Sequence, residues 1–117
     1  MFIARVAVLL CAGLALAAPL GAATTPTLRG TVGPEFTISL VRAGKRVTTL
    51  KRGRHTFVIA DRSPVHNFRL EGPGIRRDLT GVVRVGTTRT TLRLRPGRYV
   101  FFCVPHPLDM RGSFRVG

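Results

Sequence analysis

The chain has no tryptophan, one tyrosine, two methionines, two cysteines, three histidines and five acidic residues among 117. Each scarcity excludes something. Cys11 lies in the apolar stretch that opens the chain; once that stretch is removed, Cys103 stands alone and no intramolecular disulfide can form. There is no Cys-x-x-Cys pair of the kind that closed structural zinc sites use. Helical periodicity is absent after residue 23, and so are internal repeats, low-complexity tracts and linkers, which leaves room for one domain only. The basic residues are accompanied by no helix, no aromatic stacking cluster and no nucleic-acid motif, so nucleic acid is not the expected partner.

The opening segment, MFIARVAVLLCAGLALAAPLGAATTP, has one early positive charge at Arg5, an apolar run from Val6 to Leu16, the breaker Pro19 and small residues at Gly21, Ala22 and Ala23. That order describes a secretory signal cut after Ala23. The expectation is therefore a leader over residues 1–23, a domain over residues 24–117, and a periplasmic or extracellular location. The alternative is an uncleaved anchor, since Val6 to Ala23 falls at the lower edge of the ~17–25 residues a spanning helix needs. Cys11 follows Leu10 and comes too early for a lipoprotein signal.

After residue 27 the chain breaks into short segments rich in Val, Thr, Ile and Phe. Candidate strands are Glu35 to Val41, Val47 to Leu50, His55 to Ala60, His66 to Leu70, Val82 to Val85, Thr88 to Arg95, Arg98 to Phe102 and Ser113 to Val116. Phe36, Ile38 and Leu40 alternate with Thr37 and Ser39, and Thr90, Leu92 and Leu94 with Thr91, Arg93 and Arg95, as half-buried strands require. Glycines in AGK, RGR and RPGR mark the turns between them. The expected architecture is all-β: an antiparallel Greek-key sandwich or barrel of seven to eight strands.

The scarce soft side chains are gathered. Cys103, His106 and Met110 fall within CVPHPLDM, directly after the apolar strand RYVFF, and His66 follows the Ser63-Pro64 break. A thiolate, two imidazoles and a thioether form a donor set suited to copper cycling between Cu(I) and Cu(II). Three strong ligands with a weak axial thioether satisfy neither oxidation state fully, which keeps the reorganisation cost of electron transfer small. Pro105 and Pro107 bracket His106 and stiffen the loop. Zinc rarely takes a thioether. A Cys-His nucleophile needs an orienting third group, and Asp109 after a strand-end cysteine does not suit that role. No second histidine cluster offers a further metal, so an enzyme is not expected. His55 is taken as structural or exposed.

The stretch GRYVFFCVPHPLDMRGSFRV, with HNF at 66–68, resembles the copper loop and upstream ligand motif of the cupredoxins, the plastocyanin and azurin group. The resemblance covers the domain in length and strand pattern, and is nearer to small exported bacterial copper proteins than to chloroplast plastocyanin. It implies a cupredoxin-like sandwich with one copper, His66, Cys103 and His106 as equatorial ligands and Met110 as the axial one. It implies for Asn67 a backbone amide donating to the thiolate and a side chain tying the two ligand-bearing loops. It also implies that His106 reaches the surface through an apolar docking patch, here Pro105, Pro107 and Leu108. The spacing from His106 to Met110 is intermediate for the family.

Removing residues 1–23 takes away only Arg5 of the 19 basic residues, so the domain stays strongly cationic. Arginines at 42, 46, 52, 54, 93, 95 and 98 recur at turns and on polar strand faces. Such a charge steers a protein toward anionic partners in a salt-dependent way. The expected function is single-electron transfer by a monomer to redox proteins with an acidic docking surface, a cytochrome or a copper oxidase, with peripheral association to an anionic cell surface. The alternative is a copper carrier or scavenger that does not cycle its metal, and a third is a metal-free structural domain.

Overall fold

The structure, a computed structural model, describes Ala12, Gly13 and residues 26–117. The leader expected over residues 1–23 lies outside the described residues apart from Ala12 and Gly13. Among the described residues no helix is long and apolar enough to cross a membrane.

Among the described residues ten strands form two five-stranded sheets packed face to face. The first sheet holds β1 (Leu28–Val32), β2 (Ile38–Arg42), β3 (Lys45–Arg46), β5 (Gly53–Asp61) and β8 (Gly86–Leu94), in the order β3-β2-β1-β5-β8. The second holds β4 (Thr49–Leu50), β6 (Arg69–Gly72), β7 (Ile75–Asp78), β9 (Gly97–Phe102) and β10 (Arg111–Val116), in the order β4-β10-β9-β6-β7. Inward residues follow the period of two. In β5, His55, Phe57, Ile59 and Asp61 are buried and their neighbours are not; in β9, Tyr99 and Phe101 are buried. The two inner faces meet in one core to which Leu28, Phe57, Phe68, Leu70, Tyr99 and Phe114 contribute. Each such side chain contributes about 1.5–3 kcal/mol by leaving water.

The sandwich departs from the sequence expectation in several places. It has ten strands rather than seven or eight, and the sheets are mixed: β1 pairs with β5 and β4 with β10 in parallel. The strand expected over Val82 to Val85 is a turn with Val83 and Val85 exposed, because the chain there crosses from β7 in one sheet to β8 in the other. His66 precedes rather than opens its strand, since β6 begins at Arg69. β2 begins at Ile38, not Glu35; residues 34–36 form a bend in which Glu35 has a φ of 61°.

Two close approaches hold the second sheet near its future site. Phe101 lies flat on Phe68, with 5.2 Å between centroids and 7° between planes. Gly112, level with Phe101 on β10, makes room for that ring: a Cβ there would lie 2.2 Å from it. Tyr99 stacks on Phe114, and its hydroxyl donates to the Arg95 carbonyl at 2.8 Å and accepts from the Arg95 amide at 2.9 Å, closing the turn into β9.

Candidate metal centre

The inward series of β9 runs Tyr99, Phe101 and then Cys103, which follows the strand and is fully buried. The loop that follows is closed by its own backbone. The His106 amide donates to the Cys103 carbonyl at 3.1 Å, the Met110 amide to the His106 carbonyl at 3.0 Å, and the Cys103 amide to the Met110 carbonyl at 3.0 Å. Cys103 and Met110 are thereby held side by side at the base of the loop, with Met110 fully buried, while His106 is half-buried at its crown.

His66 arrives from the first sheet. At the end of β5 the Asp61 carboxylate accepts from the Ser63 amide, and the Ser63 hydroxyl accepts from the Val65 amide, so residues 61–65 form a short capped turn. Beyond it the Phe68 amide donates to the Thr80 hydroxyl at 2.8 Å. His66 sits between these anchors and is 3% exposed. Stacking of Phe68 on Phe101 then fixes the His66 segment against the strand that carries Cys103.

The donor atoms converge. Sγ of Cys103 lies 3.6 Å from Nδ1 of His66 and 3.8 Å from Nδ1 of His106, and the two Nδ1 atoms are 3.1 Å apart. A point equidistant from all three lies about 2.0 Å from each, against the ~2.0–2.3 Å at which imidazole nitrogen and thiolate sulfur hold a first-row metal such as zinc. The three residues thus fit one soft cation.

Asn67, 1% exposed, joins the two ligand-bearing segments. Its Oδ1 accepts from the Val104 amide at 2.8 Å and its Nδ2 donates to the Asp78 carboxylate at 3.3 Å. Pro105, Pro107 and Leu108 are all exposed around His106, Leu108 most of all. His55 is buried near the opposite end of β5, its Nε2 beside the Lys51 carbonyl at 2.7 Å, and takes no part in the cluster.

One residue of the site escapes the sequence pattern. Phe36 alternates with Thr37 and suggests an inward side chain, yet it lies in the 34–36 bend, largely exposed, with its ring against both His66 and His106. The Gly33-Pro34 dipeptide is the signal that marks a turn there. Val65 and Val104 are exposed at the same end, so the apolar surface around His106 is wider than the three loop residues expected.

No protein-family model matches the chain, and no curated protein matches its sequence. Solved structures do. An oxidized amicyanin mutant aligns with a TM-score of 0.52 at 16% identity, over 78% of this chain and 82% of that one. Reduced rusticyanin aligns with a TM-score of 0.53 at 20% identity, over 78% of each. A multi-copper oxidase from Pediococcus acidilactici aligns with a TM-score of 0.55 at 14% identity, over 82% of this chain but 27% of the oxidase. The chain therefore has the cupredoxin fold, with His66, Cys103 and His106 forming a candidate copper site at one end of it.

Proposed function

We propose that this protein is an exported carrier of single electrons, in which His66, Cys103 and His106 would hold one copper and Met110 would supply a further, weak thioether ligand. The observation that carries the reading is the convergence, within 4.8 Å of one another, of the Cys103 sulfur and the His106 imidazole, on a loop closed by its own hydrogen bonds, with the imidazole of His66 from the segment before β6. Copper, when bound, supplies a one-electron couple between Cu(I) and Cu(II).

The residues divide the remaining work. The strand and loop hold Cys103 in a dry position, where its thiolate is out of reach of oxidants and of other thiols. Asn67 pins Val104 and so keeps the Cys103 and His66 segments in register. His106 alone among the three reaches toward solvent, which makes its imidazole the short path to a partner. Phe36, Val65, Val104 and Leu108 surround it with apolar surface suited to brief docking. The basic exterior favours a redox partner with an acidic docking surface. Residues 1–23 act as the leader in this reading, and residues 24–117 are the working domain; catalytic turnover is not part of it.

The test is a visible absorption titration of residues 24–117 with Cu(II), beside Cys103→Ser. An intense thiolate-to-copper band that saturates at one equivalent, vanishes in the variant and bleaches reversibly with reductant is the expected result. A band that does not cycle leaves a copper carrier, and colourless protein, or weak copper binding indifferent to Cys103, refutes the electron-transfer reading and leaves a carrier or a structural domain.

A further inference from the structure

The first sheet turns one face to the core and the other to solvent, and the outward face carries arginine with no carboxylate. Register shows the arrangement. Arg29 on β1 is level with Val41 on β2 and Val58 on β5; Val41 is level with Arg46, and Val58 with Arg89. Arg46, Arg29 and Arg89 therefore stand in one row across the sheet, about 10 Å apart at ~4.8 Å per strand step. Four residues along β5 from Val58, Arg54 stands directly opposite Arg93. All five are exposed. Val41 and Val58 fill the row between the three arginines, and the neighbouring rows of the same face carry hydroxyls joined in pairs, Thr31 to Ser39 at 2.6 Å and Thr56 to Thr91 at 2.9 Å.

The five acids of the chain are all elsewhere. Glu35 is in the 34–36 bend, Asp61 is buried at the end of β5, Glu71 and Asp78 lie on the second sheet, and Asp109 is in the loop before β10. The ion pairs among the described residues are those of Arg69 and Arg76, on the second sheet. Like charges directly opposite on neighbouring strands work against a sheet, and Arg54 with Arg93 has no neutralising acid on its face. A bound oxyanion would relieve that repulsion, and the guanidinium fork matches carboxylate and sulfate groups.

We propose that this face binds a linear anionic polysaccharide. A regular row of guanidinium groups, flanked by rows of hydroxyls, suits a polymer with anionic groups at intervals. The large exposed apolar residues, Phe36, Val65, Val83, Val85, Val104 and Leu108, all lie in loops, so the face has nothing to insert into a lipid layer. It carries no aromatic ring on which a nucleobase would stack. The face runs along the flank of the sandwich while the metal cluster lies at its end, so the polymer and a redox partner can be held together. The binding is independent of the metal reading.

The experiment compares retention of the full chain on immobilised dextran sulfate, in rising NaCl, for three proteins. They are the wild type, Arg29→Gln/Arg54→Gln/Arg89→Gln/Arg93→Gln, and an equal-charge control, Arg77→Gln/Arg98→Gln/Arg111→Gln/Arg115→Gln, with circular dichroism reporting the fold. The face variant is expected to bind on the order of a hundredfold more weakly at low salt, and the control to stay within a few fold of wild type. Equal losses in both variants, no retention of the wild type, or tighter binding to phosphatidylglycerol vesicles or duplex DNA would overturn the proposal. A measurement without variants gives the same decision. Short dextran sulfate should shift the amide resonances of β1, β5 and β8, and shifts confined to β9 and β10 would refute the assignment.

Discussion

The ring of Phe36 meets that of His106 edge-on, with 4.9 Å between centroids and 87° between planes, and lies 5.4 Å from that of His66. An exposed aromatic residue thus forms a partial lid over two imidazoles whose Nδ1 atoms point into the cluster. Apolar cover of this kind controls water access and local dielectric, and through them the preference for one charge state over another.

Phe36→Ala should therefore admit water, stabilise the more highly charged state of the loaded site, and lower its reduction potential. A fall of tens of mV is expected, on a scale where about 59 mV is a tenfold change in a one-electron equilibrium. Phe36→Leu, which keeps the cover without the ring, should recover most of the loss. Voltammetry of the three proteins checks this, and identical potentials would show that the ring is only a neighbour.

Asn67→Ala removes the acceptor of the Val104 amide and the donor to Asp78 together. The expected loss of stability is about 1–3 kcal/mol, as for other buried polar groups left without partners. Asn67→Asp retains the acceptor but brings a second carboxylate up to Asp78. Its deficit should be larger at neutral pH than in mild acid, where one of the two takes a proton. Urea unfolding of the metal-free proteins at the two pH values reads this directly, and a variant as stable as wild type throughout would show that the tie is ornamental.

Much of this site is legible in the chain because local patterning and ligand chemistry agree there. Cys103 comes directly after the apolar strand RYVFF, so the sheet sets its position, and Pro105 and Pro107 announce a stiff loop around His106. What escapes has physical reasons. β1 is hidden by Gly30, which weakens strand propensity, yet glycine is required there, since a Cβ would lie 2.5 Å from Ile59 Cδ1. β7 reads Ile-Arg-Arg-Asp and lies exposed at a sheet edge, so no apolar alternation marks it. Val82 to Val85 has the composition of a strand but no partner strand beside it. The parallel pairing of β1 with β5 is a contact between segments distant in sequence, which local periodicity does not encode.

Acid should weaken the second sheet through Glu71. A hydrogen bond from Arg69 at 2.9 Å holds the Glu71 carboxyl below its ordinary 4.5, burial opposes this, and Arg76 adds attraction. A carboxyl with a lowered folded-state pKa stabilises the fold fully above its unfolded value, and that contribution fades as pH falls through the folded one. Glu71→Gln lacks the titration, so its stability should change less than that of the wild type below pH 4.5 and be lower at neutral pH. Urea midpoints between neutral and acid pH test the sign, and parallel curves for the two proteins would refute it.

The closed loop between Cys103 and Met110 makes the last prediction. Its three hydrogen bonds run from backbone to backbone among Cys103, His106 and Met110 and use none of the side-chain atoms that would hold a metal. Site residues held before binding lose little conformational freedom on taking up an ion, so the metal-free protein should already present the donors in place. In hydrogen exchange of the metal-free protein, the amides of Cys103, His106 and Met110 should be protected about as well as those of β9. The amides of Leu108 and Asp109, for which no such bond closes the loop, should exchange faster. If the three amides gain protection only when copper is added, the ion orders the loop, and the stiffness attributed to Pro105, Pro107 and the hydrogen bonds is not enough to form the site.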